Sequence, residues 1–147
     1  MPKRQVEAKC PSSETYGFET PPFSEVREAL VKRFEGLRVR DAGAILRCID
    51  GERYTKFDDW PPFRRQRSEA LKNEADALAV LSDYSYDIGD LAIDILDGVA
   101  VATLHLSYRG QIRKRPFEIR SRVTVILHRV GDGWKIVHEH YSRFPRQ

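Results

Sequence analysis

Residues 134 to 142 read "WKIVHEHYS", a strand-like run that sets His138 and His140 two positions apart. Imidazole is the side chain whose ordinary pKa lies nearest neutrality, so it can take up or release a proton without large perturbation. His140 is therefore the first candidate for acid/base chemistry. Other residues could serve a ligand beside it. Arg122 offers forked donors that suit a carboxylate or a carbonyl, Tyr54 a hydroxyl, Trp60 an apolar face, and His138 and Ser142 polar atoms along the same strand. Strict alternation would place Trp134, Ile136, His138, His140 and Ser142 on one face, apolar at its start and polar at its end.

The same residues admit plainer readings. A histidine and an arginine on neighbouring strands can satisfy each other in a polar cluster, or touch a ligand without chemistry, and residue types alone leave these readings open beside catalysis. His138 and His140 have a spacing that some zinc sites use, with His105 or Glu118 to complete a set, but nothing fixes a third ligand and no metal site is assigned. Asp58 and Asp59 precede "WPP", where aspartate more often makes a turn, and neither is assigned as a base.

At 147 residues the chain suits one domain around one core. Its 41% hydrophobic and 32% charged residues place it with globular chains rather than disordered or membrane ones. No apolar run approaches the roughly 20 residues of a transmembrane helix, and "MPKRQVEAKC" has no apolar stretch after its basic residues. The expected setting is the cytoplasm, with no membrane partner. The basic stretch "RGQIRKRPFEIRSR" (109 to 122) is split between a turn and one strand face, and no aromatic RNA-binding motif or zinc-finger spacing accompanies it, so nucleic acid is not an expected partner. Cys10 and Cys48 are too few for a disulfide framework and are expected as free thiols. No cofactor is expected.

These candidates must be positioned by the elements around them. Residues 1–22 contain four prolines and read as an extended arm. Ser24 can cap a first helix on which Val26, Leu30 and Phe34 form an apolar stripe, and Asp41 can cap a second that stops at Gly51. "ERYTKF" is strand-like, "DDWPPF" interrupts it, and a third helix starts near Ser68. Four β-type runs follow, separated by Asp97-Gly98, by the basic segment before Pro116, and by Gly131-Asp132-Gly133, which are hairpin signals. The order is three helices and then an antiparallel meander, an α+β class in which a curved sheet wraps its inner face around the helices.

In this order, and in "RSRVTVILHRVGDGWKIVHEHYS", the chain resembles the SnoaL-like group of the nuclear transport factor 2 and ketosteroid isomerase superfamily. The resemblance covers about residues 23 to 145, within a domain read as 23–147. It is carried by Arg122, Thr124, Trp134, Ile136, His140 and Ser142. The last strand is also similar to the association domain of calcium/calmodulin-dependent kinase II. The resemblance implies a cone-shaped, cystatin-like α+β barrel with a pocket between the concave sheet and the first helix, a small and partly apolar ligand, and a homodimer formed through the outer sheet face. In that frame the polar end of "WKIVHEHYS" would line the cone, with His140 as catalytic residue of an isomerase, cyclase or dehydratase-type enzyme. The first helix carries no tyrosine on its inner face, so the steroid isomerase mechanism is not supported. The rival reading is a non-catalytic dimerisation or assembly module, with Val123, Val125 and Leu127 on one face and Val137 and Tyr141 on another as apolar surface for a sheet-to-sheet contact.

Overall fold

The computed structural model describes residues 3–6 and 21–145, with side chains from residue 21 onward. Helix α1 (Pro21–Arg38) begins three residues before the expected Ser24 cap, because prolines suit a first helical turn, where no amide partner is needed. Its stripe of Phe23, Val26, Leu30 and Phe34 is at most 2% exposed. Helix α2 (Ala42–Arg47) starts as its sequence predicts, with the Asp41 carboxylate accepting the Ala44 amide at 3.0 Å. Gly36 lets these two helices meet, since a Cβ there would lie 2.6 Å from Ile45 Cγ1. Helix α3 (Ser68–Leu78) closes the helical layer.

The strands are β1 (Lys3–Val6), β2 (Thr55–Phe57), β3 (Arg65–Gln66), β4 (Leu81–Leu96), β5 (Val99–Ile112), β6 (Arg115–Val130) and β7 (Gly133–Arg143). They form one sheet in the order β1-β4-β5-β6-β7-β2-β3. The β4 to β7 meander is the expected one. Its tight turns use left-handed backbone at Asp97, at Arg113 and Lys114, and at Gly131. The short β2 joins β7 in parallel, Thr55 opposite His138 and Phe57 opposite His140, so the sheet is mixed at that edge. From the expected arm, Lys3–Val6 pairs with β4 between Ala92 and Ile95. Cys10 and residues 7–20 lie outside the described residues.

Three irregularities shape this sheet. In β4 the register slips between Ser82 and Ser85 and again between Gly89 and Ala92, with Asp83 and Asp90 at positive φ, and such bulges bend a strand. The third decides which residues face inward. Leu127 pairs with Ile136, but Ile126 pairs with His138, so Val137 is an extra residue on β7. One inserted residue reverses the facing of everything beyond it. Trp134 and Ile136 point into the core as expected. Beyond the bulge it is Glu139 and Tyr141 that point inward, at 0% and 8% exposure, while His138, His140 and Ser142 turn to the convex face.

The expected apolar outer surface also changes place. Val123, Val125 and Leu127 are at most 2% exposed and belong to the core with Tyr141, because β6 shows its odd-numbered residues to the helices. Arg120, Arg122, Thr124, Ile126 and His128 face outward instead. Val125→Asp should therefore place a charge in the core and destabilise the fold by more than about 3 kcal/mol in urea denaturation. Ile126→Asp, one residue along on the outer face, should cost the fold of the single chain no more than about 1 kcal/mol.

Candidate functional site

A buried ionic layer ties α1 to β7. Arg33 (1% exposed) donates from Nε to Glu139 Oε2 at 3.1 Å and from Nη2 to Glu139 Oε1 at 3.0 Å, a two-pronged contact, and also from Nη2 to Glu74 at 2.8 Å. Tyr54 and Tyr141 donate their hydroxyls to the same Glu139 carboxylate at 2.5 and 3.1 Å. Burial alone would raise the Glu139 pKa, but Arg33, Lys56 and the Tyr54 hydroxyl outweigh it and hold the group down at about 2. The Arg33 guanidinium is correspondingly held above its ordinary value: burial opposes its charge, and Glu139 and Glu74 overcome that.

Above this layer lies a cavity of about 260 Å³ between α1, α3 and the concave sheet. Its walls are largely apolar, with aromatic rings from Trp60, Tyr84, Tyr108 and Phe117. Trp60 and Phe117 meet edge to face at 5.6 Å, and Tyr108 packs against Phe117 at 5.8 Å. Its polar wall comes from "KFDDW". Lys56 is on β2 with its side chain turned inward, and the prolines at 61 and 62 cannot continue the strand, so the chain leaves the sheet after Phe57 and carries Asp58 and Asp59 across the cavity wall.

Asp59 is 3% exposed, and its Oδ2 accepts hydroxyls from Tyr108 at 2.9 Å and Ser121 at 2.6 Å. Trp60 Nε1 in turn donates to the Tyr108 oxygen at 2.9 Å, and Arg143 Nε donates to the Asp59 carbonyl at 2.7 Å. Burial raises the Asp58 pKa, and the neighbouring Asp59 adds to this, against the lowering effect of Lys56 at 3.4 Å. Lys56 also faces Glu74 at 3.8 Å; burial works against its charge, but Glu74 and Asp58 keep its pKa above the ordinary lysine value. Burial pushes the Tyr108 hydroxyl well up, and Asp59 pushes it further, so it acts as a donor throughout the ordinary pH range. Two adjacent carboxylates in unlike environments, one favouring its proton and one accepting two hydroxyls, can act as an acid and a base on one molecule.

Of the residues selected from the sequence, Trp60 lines this cavity. Tyr54 is one layer behind it, bound to Glu139. His140 is exposed on the convex face, its ring 5.1 Å from Phe57 and 6.4 Å from His138. His138 is half-buried there, with Nδ1 2.8 Å from the Thr55 hydroxyl, and burial and His140 lower its pKa. Arg122 and Ser142 pair across β6 and β7, with the Arg122 guanidinium 5.8 Å from the Phe144 ring. The bulge at Val137 is the reason His138, His140 and Ser142 face away from the cone, and Arg122 faces away because β6 turns its odd-numbered residues inward. The expectation that Asp58 and Asp59 serve a turn holds only for their backbone, since their carboxylates reach the cavity.

Two signals for the missed residues are present in the sequence. Arg33 stands on the apolar stripe of α1, three residues after Leu30, where a charge requires a buried partner. Glu139 alternates with the histidines and would be that partner only if alternation breaks.

Residues 26–147 match the SnoaL-like domain family, and the chain belongs to it. Its fold is that of the nuclear transport factor 2-like proteins. A proposed dehydratase of that family from Streptomyces avermitilis is 16% identical and superposes with a TM-score of 0.75 over 84% of this chain and 96% of its own. A proposed calcium/calmodulin-dependent kinase II association domain from Exiguobacterium sibiricum gives 0.75 at 12% identity, over 88% and 98%. A proposed aromatic ring hydroxylase from Novosphingobium aromaticivorans gives 0.73 at 13% identity, over 83% and 88%. No curated protein matches the sequence significantly. No helix among the described residues is long and apolar enough to cross a membrane, and no group of three or more His, Cys, Asp or Glu among them is arranged to hold a metal ion.

Glu139→Gln should cost about 3 kcal/mol in urea denaturation, because it leaves the buried Arg33 charge with Glu74 alone, and Arg33→Met/Glu139→Leu together should recover part of that loss. The folded pKa of Glu139 lies below the unfolded value of about 4.3, so its carboxylate contributes stability above that pH. The contribution should be lost as the pH falls from there towards 2, read as a midpoint that drops with acid in wild type and drops less in the double variant.

Proposed function

We propose that this chain binds a small, partly apolar molecule in its cone and acts on it as an acid/base enzyme of isomerase, cyclase or dehydratase type, with Asp58 as proton donor and Asp59 as proton acceptor. The observation that carries this reading is the pairing of the two carboxylates on the wall of a cavity that is largely apolar. On a cyclic ketone, the Asp59 carboxylate takes a proton from the carbon beside the carbonyl as Asp58 gives its proton to the carbonyl oxygen. The C–H bond breaks, an O–H bond forms, and an enol results, with Asp59 protonated and Asp58 ionised. Return of the protons at a different carbon isomerises the molecule, and loss of a neighbouring hydroxyl as water dehydrates it. The likeness to a proposed dehydratase is consistent with this chemistry without naming a substrate. The expected readout is exchange of the α-hydrogens of 2-tetralone in deuterium oxide, followed by proton NMR. Asp58→Asn and Asp59→Asn should each slow the protein-dependent exchange by about 100-fold or more, and Ala70→Phe, which fills the cavity, should abolish it. Exchange that persists in all three variants would remove the reading.

A second property rests on a different surface. We propose that the convex face of the sheet joins two copies of the chain in a homodimer. Val101, Ile126 and Val137 are only partly covered there, and the association-domain likeness supports the reading. Light scattering after size exclusion should give twice the chain mass for wild type and the single mass for Ile126→Asp; a wild-type monomer would refute the dimer and leave the cavity chemistry untouched.

A further inference from the structure

We propose that Gln66 is the recognition residue of the cavity, and that the occupant is an uncharged compound of about two rings whose carbonyl or hydroxyl oxygen meets the wall formed by Gln66 and Lys56. The inference rests on the reading of the cone as a ligand site and adds what that ligand must present.

Gln66 is 3% exposed and lines the cavity, yet its side-chain amide makes no hydrogen bond among the described residues. Nor are its polar atoms sealed inside the protein, as Arg33 Nη1 is, so they open onto the cavity. Buried amides are nearly always paired. Strand β3 consists of Arg65 and Gln66 alone, and it sets Gln66 directly opposite Lys56 on β2. Residues opposed in an antiparallel pair project from the same face, so the amide and the ammonium stand side by side as donors. A single ligand oxygen can accept from both, and Asp58 lies on the same wall to protonate it.

Charge and volume limit the occupant further. Among the cavity's lining residues Lys56 is the one cation, against Asp58, Asp59 and Glu74. Even with a proton shared between the aspartates the lining is negative, so a carboxylate is repelled. Arg33 does not relieve this, because it lies behind Glu74 and is engaged by Glu139, and Arg143 is exposed at the rim. The volume of about 260 Å³ is larger than the roughly 150 Å³ of an engineered cavity that takes up benzene, and suits two fused rings between the aromatic walls.

The test compares naphthalene, 2-naphthol, 2-tetralone and 2-naphthoate as probes by NMR titration of the full chain. Wild type should bind the alcohol and the ketone about tenfold more tightly than naphthalene, the worth of one good hydrogen bond, and should disfavour the naphthoate. Gln66→Leu should remove most of the gain of the alcohol and ketone over naphthalene, the remainder being held by Lys56, leave naphthalene unchanged, and not lower the thermal midpoint of the unliganded protein. A Gln66→Leu variant that keeps the preference overturns the proposal, as does one whose unliganded midpoint falls by several degrees, which would make the amide a structural group. If naphthalene binds and Ala70→Phe excludes it, but the oxygen brings no gain, the cavity reading stands and the Gln66 assignment fails. If none of the four probes binds wild type, both fail together.

Discussion

The ion pair between Arg33 and Glu139 is the contact on which the site's geometry depends. It joins the middle of α1 to β7 across the interior, where unpaired charge is very costly, and the carboxylate is well satisfied: two nitrogen contacts from the guanidinium, which also reaches Glu74, and two tyrosine hydroxyls, while Arg33 Nη1 is left without a partner. A buried pair of this kind is weak evidence for stability, since well-packed apolar residues could do as well. What it does supply is position. Glu139 holds Arg33, Arg33 holds Glu74, and Glu74 helps to keep Lys56 charged and turned into the cavity.

The bulge at Val137 makes that pair possible. Without the extra residue, β7 would show His138 and His140 to the helices, and Glu139 would face outward with no partner for Arg33. With it, the strand divides into a first half that packs Trp134 and Ile136 on the core and a second half that offers one carboxylate and one phenol inward. The four histidines are separated from the cavity by the same geometry: His105, His128, His138 and His140 all lie on the convex side of the sheet. The charged groups that line the cavity are therefore carboxylates and a lysine, whose pKa values respond strongly to burial and to each other.

The aspartates owe their position to a chain break. Two prolines end the short parallel strand β2, and the backbone that leaves the sheet carries Asp58 and Asp59 over the cavity, where Tyr108 and Ser121 reach the second of them from β5 and β6. A cluster assembled from four elements distant in sequence has no local signature. Each of its members looks ordinary in its own segment.

The sequence by itself determined the element order, the hairpins, the apolar stripe of α1 and the SnoaL-like family, because these depend on periodicity and turn chemistry within short stretches. It also marked Trp60 as a residue for an apolar ligand. Only the tertiary structure decided which face of β7 looks inward, and with it that His140, His138 and Ser142 stand outside the cone while Glu139 and Tyr141 stand within. The physical reason is that facing along a strand has a period of two, so one unpaired residue, selected by the partner strand and by Arg33 on a helix about a hundred positions away, inverts it, and no local pattern records that choice.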